Sequence, residues 1–128
     1  MDCLIIGAGP AGLSVATALA RQLYQVVVFD SGEYRNDPAT HMHNVATWDH
    51  RPPAEYREAG RKAILDRYDT VHIENTKIAT VERTAVGQFL VKDTKGVAWI
   101  GKKLVLATGS REILPDIPGY ADCWATGM

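Results

Sequence analysis

The residues able to do chemistry in this 128-residue chain fall into a few clusters, the most specific being Gly-Ala-Gly-Pro-Ala-Gly at residues 7–12. A G-x-G-x-x-G spacing has a physical logic: the first glycine permits a tight turn, the second lets backbone approach a pyrophosphate, and the third lets a helix pack close to a strand. Free N–H groups at the start of that helix, at the positive end of its dipole, suit phosphate oxygens. Asp30 ends the next apolar run, about 20 residues further on, where a carboxylate can accept hydrogen bonds from both hydroxyls of a ribose. An acid at that point repels a 2′-phosphate, so the two features together point to FAD or NAD and away from NADP. The competing reading is a glycine-rich turn that only packs a helix on a sheet. A strand before, a helix after and an acid beyond weigh against it.

The remaining candidates are weaker. His41, His43 and His50 fall within ten positions, with Asp37 and Asp49 nearby, and a His-x-His pair with a third ligand could hold a metal. No regular element is expected to present those side chains together, so no metal is expected. Cys3 lies in the first apolar run and reads as a small core residue. Cys123 has no base or partner close in sequence, and no catalytic residue is assigned. Trp48, Trp99 and Trp124 read as packing residues.

These residues need elements to hold them. Residues 3–6 form an apolar run suited to a strand buried on both faces of a parallel sheet. Apolar residues then recur at helical spacing over 13–23, and the β-branched run 25–30 is a second buried strand. Strand, turn, helix and strand make a βαβ unit, which crosses over right-handedly in nearly all cases. Residues 31–53 are broken by glycine and proline, and a helix is expected from Pro53, with Glu58 and Lys62 as an i,i+4 pair. Short alternating runs at 70–74, 78–82, 88–91 and 97–100 read as a third parallel strand and then an antiparallel meander. Residues 102–107 read as another buried strand, and 113–128, with Pro115, Pro118, Gly119 and Gly127, as an exit linker. The expected organisation is one α/β, Rossmann-like domain over 1–112 with an inserted β-meander at about 76–101.

Composition narrows the classes. Hydrophobic residues make up 46% of the chain, which excludes disorder, and 14 basic against 15 acidic residues give a net charge of -1. Without a basic stripe, nucleic acid is not an expected partner. Two cysteines at opposite ends, with no Cys-x-x-Cys, argue against a disulfide scaffold and for a reducing, cytoplasmic setting. Residues 3–20 carry no charge, yet Met1-Asp2 offers no basic leader and glycines interrupt the stretch, so neither a signal peptide nor a membrane span is expected.

Taken together, Gly-Ala-Gly-Pro-Ala-Gly, the acid on the next strand, the meander, Val-Leu-Ala-Thr-Gly-Ser at 105–110 and the proline-rich exit resemble the FAD domain of the two-dinucleotide-binding-domain flavoproteins. Asp30-Ser31-Gly32-Glu33-Tyr34-Arg35-Asn36, His41-Met42-His43-Asn44-Val45 and Trp48-Asp49 narrow the likeness to thioredoxin-reductase-like oxidoreductases, in particular fungal ones of natural-product pathways. The resemblance covers essentially the whole chain. It implies that Gly7, Gly9 and Gly12 face the pyrophosphate and Asp30 the adenosine ribose, with Pro10, Ala11 and Ser31 also among the cofactor-binding residues. It also implies that Arg35 and Asn36 line the cofactor and that His43 and Asn44 lie toward the flavin. The backbone at Ile78 would meet the adenine, and Ala107, Thr108 and Gly109 would close over the cofactor.

In that family a Cys-x-x-Cys pair, a second glycine-rich loop for NADPH and a returning Gly-Asp motif follow the exit segment, and none of the three is found in these 128 residues. The expected function is therefore FAD binding as part of such an oxidoreductase, with hydride transfer from NADPH to a disulfide not carried by this chain alone. A non-redox accessory module and, behind it, a small NAD-dependent dehydrogenase are the alternatives. Sheet edges left uncovered recruit other chains, so a homo-oligomer or partner complex is expected.

Overall fold

The computed structural model describes residues 1–124, so Gly127 and the rest of the expected exit linker beyond Trp124 lie outside the described residues. In chain order the elements are β1 (Cys3–Ile6), α1 (Pro10–Ala20), β2 (Val26–Phe29), α2 (Pro53–Leu65), β3 (Val71–Glu74), β4 (Ile78–Arg83), β5 (Phe89–Asp93), β6 (Ala98–Gly101), β7 (Lys103–Leu106) and α3 (Tyr120–Cys123). One sheet has the order β3-β2-β1-β7, all parallel, with Cys3 opposite both Val26 and Lys103. The other is the antiparallel meander β4-β5-β6.

Side-chain alternation along the two central strands explains why both are apolar throughout. Cys3, Ile5, Val26 and Val28 face one way and join Leu13, Ala16 and Ala20 of α1 and Ile64 of α2 in one core. Leu4, Val27 and Phe29 face the other way and pack on Val91 of the meander, with Ile78 and Trp99 at the margin. The parallel sheet is thus sandwiched between a helical layer and the meander, and a run with no polar positions follows from being covered on both faces. Two close approaches lock the layers. A Cβ at Gly60 would lie 3.1 Å from Leu13 Cδ1, and one at Gly101 would lie 2.6 Å from Leu4 Cγ. The Trp99 ring meets Phe29 edge-on, 4.9 Å between centroids, as a packing residue.

Asp93, 6% exposed, fastens the meander to the chain before it. Its Oδ1 accepts the N–H groups of Lys95 (2.9 Å) and Val97 (2.8 Å), and its Oδ2 accepts the Thr76 hydroxyl (2.9 Å). Burial pushes the Asp93 carboxyl up, but these donors outweigh it and hold the group below the ordinary carboxylate value. A lowered folded-state value means stability that is present above the ordinary value and lost as pH falls through the folded one. Asp93→Ala is expected to lower the melting temperature by about 5–10 °C at neutral pH. That gap narrows below about pH 4, as melting curves of both proteins across the acid range would read.

The structure differs from several expectations. The helical spacing over 13–23 overruns: α1 ends at Ala20, and Leu23 has φ 61 and is 73% exposed in the turn that leads to β2. Lys62 pairs with Asp66, the C-cap residue, at 2.7 Å rather than with Glu58. The run 102–107 is not fully buried. Among the described residues β7 is an edge strand with β1 as its one strand neighbour, Leu104 and Val105 are half-buried, and Leu106 is 67% exposed. The expected exit linker contains the short helix α3. Among the described residues no helix is long and apolar enough to cross a membrane.

Candidate functional site

The glycine loop sits at the C-terminal end of β1, between β2 and β7. Gly7 donates its N–H to Phe29 O (2.9 Å), and Ala107 donates its own to Ile6 O (2.8 Å). Gly7 has φ 108, and a Cβ there would stand 2.2 Å from Ala107 O. A Cβ on Gly12 would stand 1.8 Å from Gly7 O. At Gly9 the situation reverses, since a Cβ would meet nothing within 4 Å. Two glycines thus allow protein backbone to touch protein backbone, and the middle one opens onto free space.

That free space adjoins the start of α1. Gly9 is the N-cap with no side-chain cap, Pro10 opens the helix without an N–H, and the first turn carries no acid. The first helical N–H groups are therefore left for an outside acceptor. A helix end bare of both cap and acid fits an anion, and the residues present fit the pyrophosphate of a dinucleotide.

At the end of β2 the side chains interlock. Asp30 is 5% exposed: Oδ1 accepts the Gly32 N–H (3.0 Å), and Oδ2 accepts the Tyr34 hydroxyl (2.5 Å) and Arg61 Nη1. Arg61 also donates from Nη2 to Asn75 Oδ1 (2.7 Å). One turn earlier on α2, Arg57 is 7% exposed and donates to Asn36 Oδ1 (2.7 Å) and Asp37 Oδ1 (2.5 Å). Its guanidinium lies over the Tyr34 ring, 3.8 Å from the centroid. A cleft of about 430 Å³ opens here, lined by Asp30, Ser31, Tyr34, Arg57, Arg61 and Asn75 among others.

Burial pushes the Tyr34 phenol up to about 12, and its hydrogen bond to the Asp30 carboxylate acts in the same direction. A raised phenol stabilises the fold below its ordinary value of 10, and that contribution is lost as pH rises through about 12. Titration followed at 295 nm is expected to show one tyrosine ionising near pH 12 that is missing from Tyr34→Phe.

The other residues singled out from sequence are dispersed. Asn36 is held by Arg57 as above, whereas Arg35 meets Glu112, the last residue before the exit segment, at 2.5 Å. Ile78 opens β4 with its side chain at the margin of the meander-side core. Ala107 packs against the glycine loop, while Thr108 and Gly109 are exposed, Gly109 with φ 68. His43 and Asn44 make their contacts within residues 42–51. The Asn44 N–H donates to Asp49 Oδ1 (2.9 Å), and His43 lies 3.7 Å and His50 3.4 Å from Asp49. No regular element was expected to gather those side chains, yet the loop brings ligand atoms of His43, Asp49 and His50 within 4.8 Å of one another. All three are more than half exposed, at 58, 53 and 75%, and His41 is not among them.

Sequence reasoning missed Arg57, Arg61 and Asn75, and named Tyr34 only within the 30–36 motif, without a role. The available signal was a pair of arginines one turn apart on α2, both able to reach over one helix face.

The fold and the glycine loop define a dinucleotide-binding α/β domain. Residues 1–127 match the pyridine nucleotide-disulphide oxidoreductase family, and the chain belongs to it. It is 49% identical over 96% of its length to the thioredoxin reductase aclD of Aspergillus oryzae and 48% identical over its full length to the thioredoxin reductase tcpT of Claviceps purpurea. It spans 39% and 40% of those proteins. Among solved structures, the oxidoreductase from Agrobacterium tumefaciens superposes with a TM-score of 0.91 at 33% identity, over 98% of this chain and 42% of that one. The resemblance read from the motifs is therefore correct: the chain has the FAD-domain fold of thioredoxin-reductase-like flavoproteins.

Proposed function

We propose that the chain binds FAD and serves as the cofactor-holding domain of a thioredoxin-reductase-like oxidoreductase of secondary metabolism. The observation that carries this reading is the split among the glycines: Gly7 and Gly12 face backbone, whereas Gly9 faces open space at an uncapped helix start. The pyrophosphate lies along residues 7–12 and the adenosine ribose near Asp30 and Ser31. Asn36 lines the same side through Arg57, and Arg35 does so only by leaving Glu112. The flavin extends toward His43 and Asn44, the adenine toward Ile78, and residues 107–109 cover the cofactor. When bound, FAD supplies the hydride and electron chemistry, and the protein's part is to bind and orient it. The reductase activity that the relatives' names state is proposed for the whole enzyme, in the cytoplasm.

The test is titration of the purified chain with FAD, followed by flavin fluorescence and thermal melting. The expected result is saturable quenching and a melting temperature that rises with FAD concentration. A melt indifferent to excess FAD would overturn the reading. Association is a further part of this proposal, supported by the edge of β7 that no described strand pairs and by the exposed Leu106 at its end, and sedimentation equilibrium giving a monomer throughout would remove it.

A further inference from the structure

We propose that Arg61 is a positioning residue for the adenosine half of the dinucleotide, acting through Asp30, an inference that rests on the FAD reading above. A carboxylate offers about four lone-pair positions. In Asp30, Oδ2 holds both the Tyr34 hydroxyl and Arg61 Nη1, and Oδ1 holds the Gly32 N–H. One acceptor position is left, on Oδ1. Asp30 therefore receives one ribose hydroxyl rather than the two that spacing alone suggested.

Arg61 decides which oxygen that is. Its fork reaches from α2 to Asp30 after β2 and to Asn75 after β3, so two loop positions are tied to one planar group. The Asp30 side chain is 4% exposed and that of Arg61 20%, so neither group is free to swing in water, and the buried carboxylate depends on this cation for its charge balance. Asp30, Arg61 and Asn75 all line the same cleft. With Arg61 in place the carboxylate is preset to accept through Oδ1. Without it, the carboxylate turns toward other donors, and the hydroxyl loses its acceptor.

The test compares binding of ADP and 2′,3′-dideoxy-ADP, which lacks both ribose hydroxyls, by calorimetry. Wild-type chain is expected to prefer ADP by about tenfold, the worth of one hydrogen bond to a charged acceptor. In Arg61→Met and in Asp30→Asn that preference falls to about one, and the double variant loses no more than either single one. Arg61→Lys, which keeps a cation beside Oδ2 but loses the fork to Asn75, falls between. A purely structural role would weaken both ligands equally and leave the ratio unchanged, so an unchanged ratio in Arg61→Met, or no preference in the wild type, overturns the inference alone. A wild-type chain that binds neither ADP nor FAD overturns the FAD reading and takes the inference with it. Should Arg61→Met fail to fold, Arg61→Lys and Asn75→Ala carry the same ratio test.

Discussion

Gly12→Ala is expected to cost about 3 kcal/mol of folding stability, roughly 10–15 °C in melting temperature for a domain of this size, whereas Gly9→Ala leaves the melt unchanged. The two substitutions add the same methyl group three residues apart. At Gly12 it would land 1.8 Å from Gly7 O, a backbone atom that can yield only if α1 moves off the sheet. At Gly9 nothing lies within 4 Å, and φ is -73, a value any residue adopts. On the proposed FAD reading the same emptiness reverses the order for ligand: Gly9→Ala is expected to weaken FAD binding tenfold or more, because the methyl would fill the space that reading gives to the pyrophosphate. Thermal melts with and without FAD read both effects. Equal destabilisation by the two variants would mean that the glycines do not have separate roles.

Arg57→Met is expected to destabilise the protein by about 2 kcal/mol and to make residues 31–52 markedly more sensitive to protease. The substitution keeps an apolar stem of similar length, so packing along α2 is largely preserved and the loss falls on the guanidinium. That group holds Asn36 and Asp37 and covers the Tyr34 ring, three contacts on a segment that has no helix or strand of its own. The magnitude is at the low end for breaking a buried pair because Asp37 is 47% exposed and can turn to water. Chemical denaturation gives the first number, and cleavage mapped by mass spectrometry gives the second. Cleavage no faster than in the wild type would show that the loop is held by something other than Arg57.

Legibility from sequence followed the range of the interaction. The β1-loop-α1-β2 unit could be read because each of its signals is local: an apolar run, three glycines at fixed spacing, and an acid where the next strand ends. The meander could be read from alternation and from turns at Gly87 and Gly96, which have φ 81 and 85. What escaped was pairing between distant segments. Lys62 has acids four residues away on both sides, and spacing alone cannot choose Asp66 over Glu58. Arg57 and Arg61 show their shared helix face, but their partners at 30, 36, 37 and 75 come from other elements. Asp30 was located correctly as the acid at the end of β2, while the occupation of its oxygens depended on those same arginines. Residues 104–107 are as apolar as a central strand, and composition does not say how many neighbours a strand will have.

The placement of β1 has a consequence in time. It lies between β2 and β7, with Cys3 opposite both Val26 and Lys103, and Lys102 Nζ donates to Asp2 Oδ1 across 100 positions. Closing a loop of that length costs about 4 kcal/mol in chain entropy before any contact on that side forms. During synthesis, at about 5–20 residues per second, the β1-α1-β2 unit can assemble early, while the second flank of its first strand waits several seconds or more for β7 to emerge. Over that interval the nascent chain carries an apolar strand with one bare edge, and this is the window in which a chaperone would have most to do.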